Sequence, residues 1–138
     1  MTRKEFLASL GIGAVVLACD ACLTGCQSNP VVPAPPPNVD FTLDLTDPAN
    51  AALKAVGGYL YKSQLIVAHI SGGSYVALSQ ICTHAGNNVY YDLPSNLFHC
   101  PAHGSNFNTD GAVVNGPAGS ALRKYNSTLT GNSLHVFS

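Results

Sequence analysis

The sequence predicts an all-β fold, and three observations support this prediction. Apolar and polar residues alternate at 41–45 (FTLDL), with the period of two that is typical of half-buried strands. Runs rich in β-branched and aromatic residues are separated by turn residues such as the glycine pair at 72–73. No segment after residue 26 shows sustained helical periodicity. The chain is therefore expected to fold as packed strands.

In chain order, the predicted elements are a strand at 41–45, a short helix at 47–53, strands at 64–70 and 75–78, a hairpin turn at 110–111 leading into 112–114, and a closing strand at 134–137. The short helix is predicted from its start, where Asp47 is a good N-cap and Pro48 suits the first helical position. The turn is predicted from Asp110-Gly111, a dipeptide typical of tight hairpins.

Four potential metal ligands occur in two short motifs. One residue separates Cys82 from His84, two residues separate Cys100 from His103, and residues 85–99 lie between the motifs. Soft thiolates and imidazoles on two loops suit one small metal centre. The pattern resembles the ligand set of Rieske [2Fe-2S] proteins, in which two cysteines hold one iron and two histidines hold the other.

The resemblance to Rieske proteins extends beyond the four ligands. CTHAG at 82–86 is similar to the first Rieske box, CPAHGS at 100–105 to the second, and GPA at 116–118 to the proline loop that covers the cluster. The resemblance covers residues 40–138 and implies an antiparallel β-sandwich base with a small cluster-binding subdomain at about 80–119. It also implies that the cysteines hold an inner iron and the histidines an outer iron, nearer to solvent.

A structural zinc site is the alternative reading of the same ligand types, because two cysteines and two histidines also satisfy a tetrahedral zinc ion. Such a site would make the protein a zinc-stabilised binding module. Zinc motifs usually begin with two ligands that are two to four residues apart, whereas Cys82 and His84 have only one residue between them. The spacing therefore favours the iron-sulfur cluster.

The cluster loops differ from those of the Rieske subunits of cytochrome bc complexes. Those subunits carry an extra cysteine in each box and join the two by a disulfide, but here Asn87 and Ala102 occupy these places. Ser105 stands where high-potential members have a serine that donates a hydrogen bond to a bridging sulfur. Phe107 stands where they have a tyrosine that donates to a cysteine sulfur. With one donor kept and one missing, the resemblance implies a potential between the extremes of the Rieske range.

The N-terminus predicts export and lipid anchoring. Basic Arg3 and Lys4 precede an apolar or small stretch at 7–18, which is shorter than the roughly 20 residues of a membrane-spanning helix. Residues 1–25 therefore read as a signal peptide. LTGC at 23–26 resembles a bacterial lipobox, which would make Cys26 the lipidated first residue of the mature chain. The basic pair resembles a twin-arginine signal, and the general secretory route stays open.

The segment between the expected anchor and the domain, within residues 26–39, is rich in proline. If residues 29–38 adopt extended polyproline II, they span roughly 25 to 30 Å. Such a spacer would let a tethered carrier swing between partners. A generic spacer that only clears the membrane surface fits the same composition.

The composition argues against a nucleic-acid partner. Only 9% of residues are charged, and after residue 25 four basic side chains face five acidic ones, a balance of −1 without a basic patch. Recognition is therefore expected through an apolar tip, with Ala85, Pro117 and Ala118 as candidates by analogy with the family. Small residues that let the loops pack tightly are the alternative interpretation of these three positions.

The sequence thus predicts one-electron transfer by a lipid-anchored protein on the outer, periplasmic face of a bacterial membrane. Its expected partner is a cytochrome or a quinol-oxidising complex. A subunit role in quinol oxidation is the alternative.

Overall fold

A computed structural model describes residues 31–138. The predicted signal peptide and the predicted lipidation site at Cys26 lie outside the described residues. The elements are β1 (Asp40–Asp44), a 3₁₀ helix (Pro48–Lys54), β2 (Tyr59–Lys62), β3 (Leu65–His69), β4 (Tyr75–Ser79), β5 (Tyr90–Asp92), β6 (Leu97–His99), β7 (Asn106–Phe107), β8 (Val113–Asn115), β9 (Lys124–Thr130) and β10 (Ser133–Phe137). Within residues 31–138, no helix is long and apolar enough to cross a membrane.

The strands form two antiparallel sheets, as the all-β prediction requires. The larger sheet has six strands in the order β1-β10-β9-β4-β3-β2, and the smaller has four in the order β5-β6-β7-β8. Strand β9 joins two halves of the larger sheet. It pairs with β10 from Asn126 to Thr130 and with β4 only through Tyr125 and Lys124.

Strand β3 is buried on both faces and separates two hydrophobic cores. Leu65–Ala68 are all fully buried, and successive side chains of a strand point to opposite faces. Leu65 and Val67 pack in a core with residues of β1 and β10, whereas Ile66 and Ala68 pack in a core that includes Phe98 of the smaller sheet. The half of the larger sheet that contains β3 therefore lies between the smaller sheet and the half that contains β1 and β10.

The short helix and its cap are confirmed. Asp47 has extended backbone angles, and its carboxylate accepts a hydrogen bond from the Ala49 N–H at 2.8 Å. Pro48 occupies the start of the helix, where a missing N–H costs nothing. The helix is of the 3₁₀ type, and its seven residues make it longer than most 3₁₀ helices.

The predicted hairpin at 110–111 connects β7 and β8 through a loop longer than a two-residue turn. The Asn108 carbonyl accepts from the Gly111 N–H at 2.9 Å, and the Asn108 side chain accepts from the N–H groups of Asp110 and Ala112. Gly111 has φ +84°, and a Cβ at this position would lie 2.3 Å from the carbonyl oxygen of Leu122. Both the backbone angle and the close approach therefore require glycine here.

The described part of the proline-rich segment lies against the domain. Val32, Pro33 and Pro35 form one wall of a groove beside the first candidate metal loop. Farther along, the Pro36 carbonyl accepts from the Tyr125 hydroxyl at 2.8 Å. The sequence predicts that residues 29–38 form a free spacer that spans roughly 25 to 30 Å. The described residues of this segment are not a free spacer, because side chains of the domain hold their backbone.

Candidate metal centre

The two candidate loops share one backbone conformation. In the first loop, the Cys82 N–H donates to the carbonyl five residues on (2.7 Å), and the N–H four residues on donates back to the Cys82 carbonyl (3.0 Å). The second loop repeats both hydrogen bonds from Cys100, at 2.8 and 3.0 Å. In each loop the fourth residue after the cysteine is a glycine with positive φ, +80° at Gly86 and +83° at Gly104. Two matching loops therefore present their cysteines in the same way.

The four predicted ligands separate into a buried pair and an exposed pair. Cys82 and Cys100 are 0% and 1% exposed, and both are free thiols. His84 and His103 are exposed, and their ring centroids are 4.8 Å apart with planes at 83°. Within residues 31–138, no three His, Cys, Asp or Glu side chains converge as they would around a single ion. The arrangement instead has thiols inside and imidazoles outside.

The surroundings of Cys82 suit a thiolate that is compensated by a bound cation. Burial is the largest influence and raises the pKa of the Cys82 thiol, and the Cys100 thiol beside it raises the pKa further. The backbone N–H of His84 and the hydroxyl of Ser105 act in the opposite direction. A buried thiolate is thus costly alone but already has donors that would stabilise it.

The segment that follows β8 is tied to both loops. The Thr83 hydroxyl donates to the Ser120 carbonyl at 2.6 Å, and the Ala118 N–H donates to the Ser105 hydroxyl oxygen at 3.0 Å. Because Ser105 accepts this bond, its own hydroxyl hydrogen remains available for a neighbouring sulfur. Ser105 is completely buried, so the bond is shielded from water.

The prediction of an exposed docking tip is wrong for one of its three residues. Ala118 is only 4% exposed and packs in the core beneath the loops, whereas Pro117 is exposed and Ala85 is half-buried. Ala118 is buried because its N–H points inward to Ser105. Phe107 is fully buried in the same core.

A chain of amide contacts near the second loop was not predicted from the sequence. The Asn115 side chain donates to the carbonyls of Gly104 (2.9 Å) and Gly116 (3.2 Å). Its oxygen accepts from the Asn106 amide at 2.8 Å, and the Asn106 oxygen lies 2.6 Å from Nδ1 of His99. Asn106 and Asn115 are cross-strand partners on β7 and β8. The two asparagines in the sequence indicate this contact only when the register of the β7–β8 hairpin is known.

Residues 44–126 match the family model of the Rieske [2Fe-2S] domain, which covers more than half of the chain. The chain belongs to the Rieske family. Both candidate loops and the proline loop at 116–118 lie inside the matched span. The Rieske domain carries a [2Fe-2S] cluster, and the donor set of this structure fits it: two buried thiols and two exposed imidazoles on paired loops.

Curated relatives of the Rieske domain include iron-sulfur subunits of cytochrome b6-f complexes. The subunit from Chlorobaculum tepidum is 34% identical over 67 residues, covering 49% of this chain and 37% of the relative. The subunit from Prochlorococcus marinus (strain MIT 9215) is 48% identical over 54 residues, covering 39% of this chain and 30% of the relative. The matched region thus spans only 30% to 37% of the length of these relatives.

Solved Rieske structures have the same fold. The plasma membrane Rieske protein from the cyanobacterium Synechocystis PCC 6803 superposes with a TM-score of 0.53 and 32% identity, over 62% of this chain and 91% of that chain. The ferredoxin of carbazole 1,9a-dioxygenase from Nocardioides aromaticivorans also has a TM-score of 0.53, with 23% identity over 62% and 90% of the two chains. The second likeness supports the fold alone.

Proposed function

We propose that this protein transfers single electrons through a Rieske [2Fe-2S] cluster that is held by Cys82, Cys100, His84 and His103. The separation of a buried thiol pair from an exposed imidazole pair carries this proposal. It matches the division of Rieske ligands between an inner and an outer iron. When bound, the cluster supplies a reversible one-electron redox step.

The chain's own residues have separate roles in this proposal. The buried thiols hold the inner iron away from water, and the exposed imidazoles form the surface that a redox partner approaches. Ser105 donates to sulfur and stabilises the more negative reduced state. Since Phe107 cannot donate, we expect a midpoint potential above zero but below the upper limit of about +300 mV for Rieske centres.

We further propose that the protein works at the outer face of a bacterial membrane, anchored by lipid on Cys26. The signal-like residues 1–25 and the LTGC motif support this location. The similar Rieske protein from Synechocystis PCC 6803 is a plasma membrane protein, which also supports this location. The expected partner is a cytochrome or a quinol-oxidising complex.

A subunit role in a quinol-oxidising complex is the second candidate function. The names of the relatives, which are iron-sulfur subunits of cytochrome b6-f complexes, favour it. Ser105 and the GPA segment at 116–118 also agree with such a role. Against it stand Phe107 and the absence of cysteines at positions 87 and 102.

Reductive titration of the full chain, followed by electron paramagnetic resonance, tests the cluster. We expect one unpaired spin per chain on reduction, lost in Cys100→Ser and kept in the matched variant Cys26→Ser. Because Cys26 is not a proposed ligand, the pair separates cluster loss from a general effect of losing a thiol. A colourless protein with one zinc per chain and no redox signal would instead establish the zinc-stabilised module.

Membrane fractionation of the same two proteins tests the anchor. The unmodified chain should sediment with membranes, and Cys26→Ser should move to the soluble envelope fraction, because removing the acyl chains removes the membrane affinity that they provide. Equal sedimentation of both would refute lipid anchoring at Cys26.

A further inference from the structure

Residues 32–37 lie along the side of the domain, and we call them the strap. Residues 32–35 of the strap form one wall of a groove whose remaining lining includes Ile81 and Thr83, next to the first cluster loop, and residues 120–123. Two side chains of the domain donate to the strap's backbone: the Tyr125 hydroxyl to the Pro36 carbonyl (2.8 Å) and the Arg123 guanidinium to the Pro37 carbonyl (3.3 Å). The strap is thus held by specific contacts.

This side of the domain suits a proline-rich segment chemically. Proline has no N–H, so its backbone offers only carbonyl acceptors, and the domain supplies donors for two of them. Tyr125 is only 3% exposed, and Arg123 lies over its ring with its guanidinium carbon 5.2 Å from the centroid. A rigid proline-rich segment loses little conformational entropy when it is held in this way.

The strap also has a direction along the domain. Its start lies at the cluster end, since Pro33 Cδ is 3.7 Å from where a Cβ of Gly86 would stand. Its end meets Tyr125 and Arg123 and continues into β1 at Asp40. The chain upstream of Val32 therefore leaves the domain beside the loop that carries His84.

We propose that this side of the domain is a docking site for the strap, and that docking holds the cluster end of the domain toward the anchored end of the chain. The orientation rests on the proposed lipid anchor, whereas docking itself does not. From Cys26 to Val32 there are six residue steps, so a fully extended chain spans at most roughly 20 Å. With the strap docked, the exposed imidazoles stay near the membrane surface, and a wider swing requires the strap to leave its docking site.

A spin label on the strap tests docking. The full chain, with Cys19, Cys22 and Cys26 changed to serine, is labelled with a nitroxide at Val31→Cys, a position that is 92% exposed. The label should move slowly at room temperature. Tyr125→Phe keeps the ring but removes the donor to Pro36, and the mobile fraction should rise about 2- to 12-fold, the range expected for losing one hydrogen bond.

The matched control is Tyr61→Phe, because the Tyr61 hydroxyl also donates to a backbone carbonyl, that of Val89, at 2.7 Å. Tyr61→Phe should leave the label on residue 31 unchanged. A label that already moves freely in the unmodified background, or equal spectra for the two tyrosine variants, would overturn the docked strap.

A distance measurement tests where the strap begins. Pulsed electron paramagnetic resonance gives the separation between the reduced cluster and a nitroxide, placed either at Val31→Cys or at Ser133→Cys. Ser133 pairs with Asp44 at the end of β1 opposite to the strap. The distance from the cluster to residue 31 should be shorter than the distance from the cluster to residue 133, and its distribution should broaden in Tyr125→Phe. An equal or longer distance to residue 31 would refute the exit of the chain at the cluster end.

The two measurements also separate this proposal from the proposed redox function. The mobility of the label needs no cluster, so a sample without a cluster signal counts against electron transfer only. A sample with a normal cluster signal and a freely moving strap counts against docking only.

Discussion

Replacing Ser105 by alanine removes one oxygen atom from a completely buried site. That oxygen accepts from the Ala118 N–H at 3.0 Å and lies beside the Cys82 thiol, whose pKa it lowers. The change therefore has two expected effects. The Ala118 N–H loses its acceptor, and the sulfur loses a donor.

The size of each effect follows from ordinary hydrogen-bond energies. An unsatisfied buried N–H costs about 1–3 kcal/mol, so the free energy of unfolding should fall by that amount. A hydrogen bond to a charged acceptor is roughly twice as strong as a neutral one. If the donor favours the reduced state by about 1–2 kcal/mol, its loss lowers the midpoint potential by about 40–90 mV.

Redox titration and urea denaturation of the cluster-loaded protein measure the two effects separately. Ser79→Ala is the matched control, since Ser79 in β4 is the other buried polar residue of the described chain, at 3% exposure. It should leave the potential unchanged. A folded, fully loaded Ser105→Ala protein whose potential equals that of Ser79→Ala would refute the reasoning about the sulfur donor.

Three further predictions concern the loops and the base. Asn115→Ala removes the contacts to Gly104 and Asn106. The cluster absorbance of this variant should bleach in urea several-fold faster than that of the unmodified protein. Asn126→Ala, at an exposed position in β9, is the control and should bleach at the unmodified rate, so equal rates for the two variants would contradict the role of the amide chain. In a thermal unfolding assay, Gly111→Ala should destabilise the fold by about 2–5 kcal/mol, since strain at positive φ adds to overpacking against Leu122. The control Gly131→Ala, with no atom within 4 Å of the added Cβ, should cost only about 1–2 kcal/mol. Similar losses in the two variants would show that the contact with Leu122 is unimportant. In the cluster-free protein, burial raises the pKa of Cys82, so the unfolded chain releases its thiol proton first and stability should fall as pH rises through about 8.5, the ordinary thiol value. Urea titrations over that range should show this slope in the cluster-free chain and not in Cys82→Ala, and a stability that rises with pH would reverse the sign of the argument.

The fold class could be predicted from the sequence because the base strands are periodic or β-rich. Strands β1, β3, β4 and β10 lie within one or two residues of their predicted bounds. In the smaller sheet, only the hairpin that leads into β8 was predicted, from the turn at 110–111. Strand β7 has two residues and β5 and β6 have three each, which is too short for a period of two to be recognised.

Strand β9 was missed for a different reason. Its sequence KYNSTLT is almost entirely exposed, so packing provides no apolar stripe. The strand exists because β10 and β4 pair with its two parts. Strand β10 follows β9 directly through residues 131–132, whereas β4 is far away in the chain, and local pattern contains no information about that second pairing.

The ligand types at the site could be predicted from the sequence, but the hydrogen bonds that hold the loops could not. Residue type and spacing were sufficient to predict Cys82, His84, Cys100 and His103 as a set. The shared backbone conformation of the two loops could also have been predicted, since Gly86 and Gly104 each follow their cysteine by four residues. The amide chain through Asn106 and Asn115 depends on a cross-strand register that the sequence does not specify.

Hydrogen bonds from the two loops to residues 115–120 can replace the disulfide that joins the loops in bc-complex Rieske proteins. A bridge between positions 87 and 102 would close about 15 residues and contribute roughly 3 kcal/mol. Three side-chain bonds tie the loops here: Thr83 to Ser120, Ser105 to Ala118, and Asn115 to Gly104. At about 1 kcal/mol each, they contribute a similar total. A thiol reductant would break a disulfide but leaves these bonds intact, so the loops should hold the same geometry under oxidising and reducing conditions.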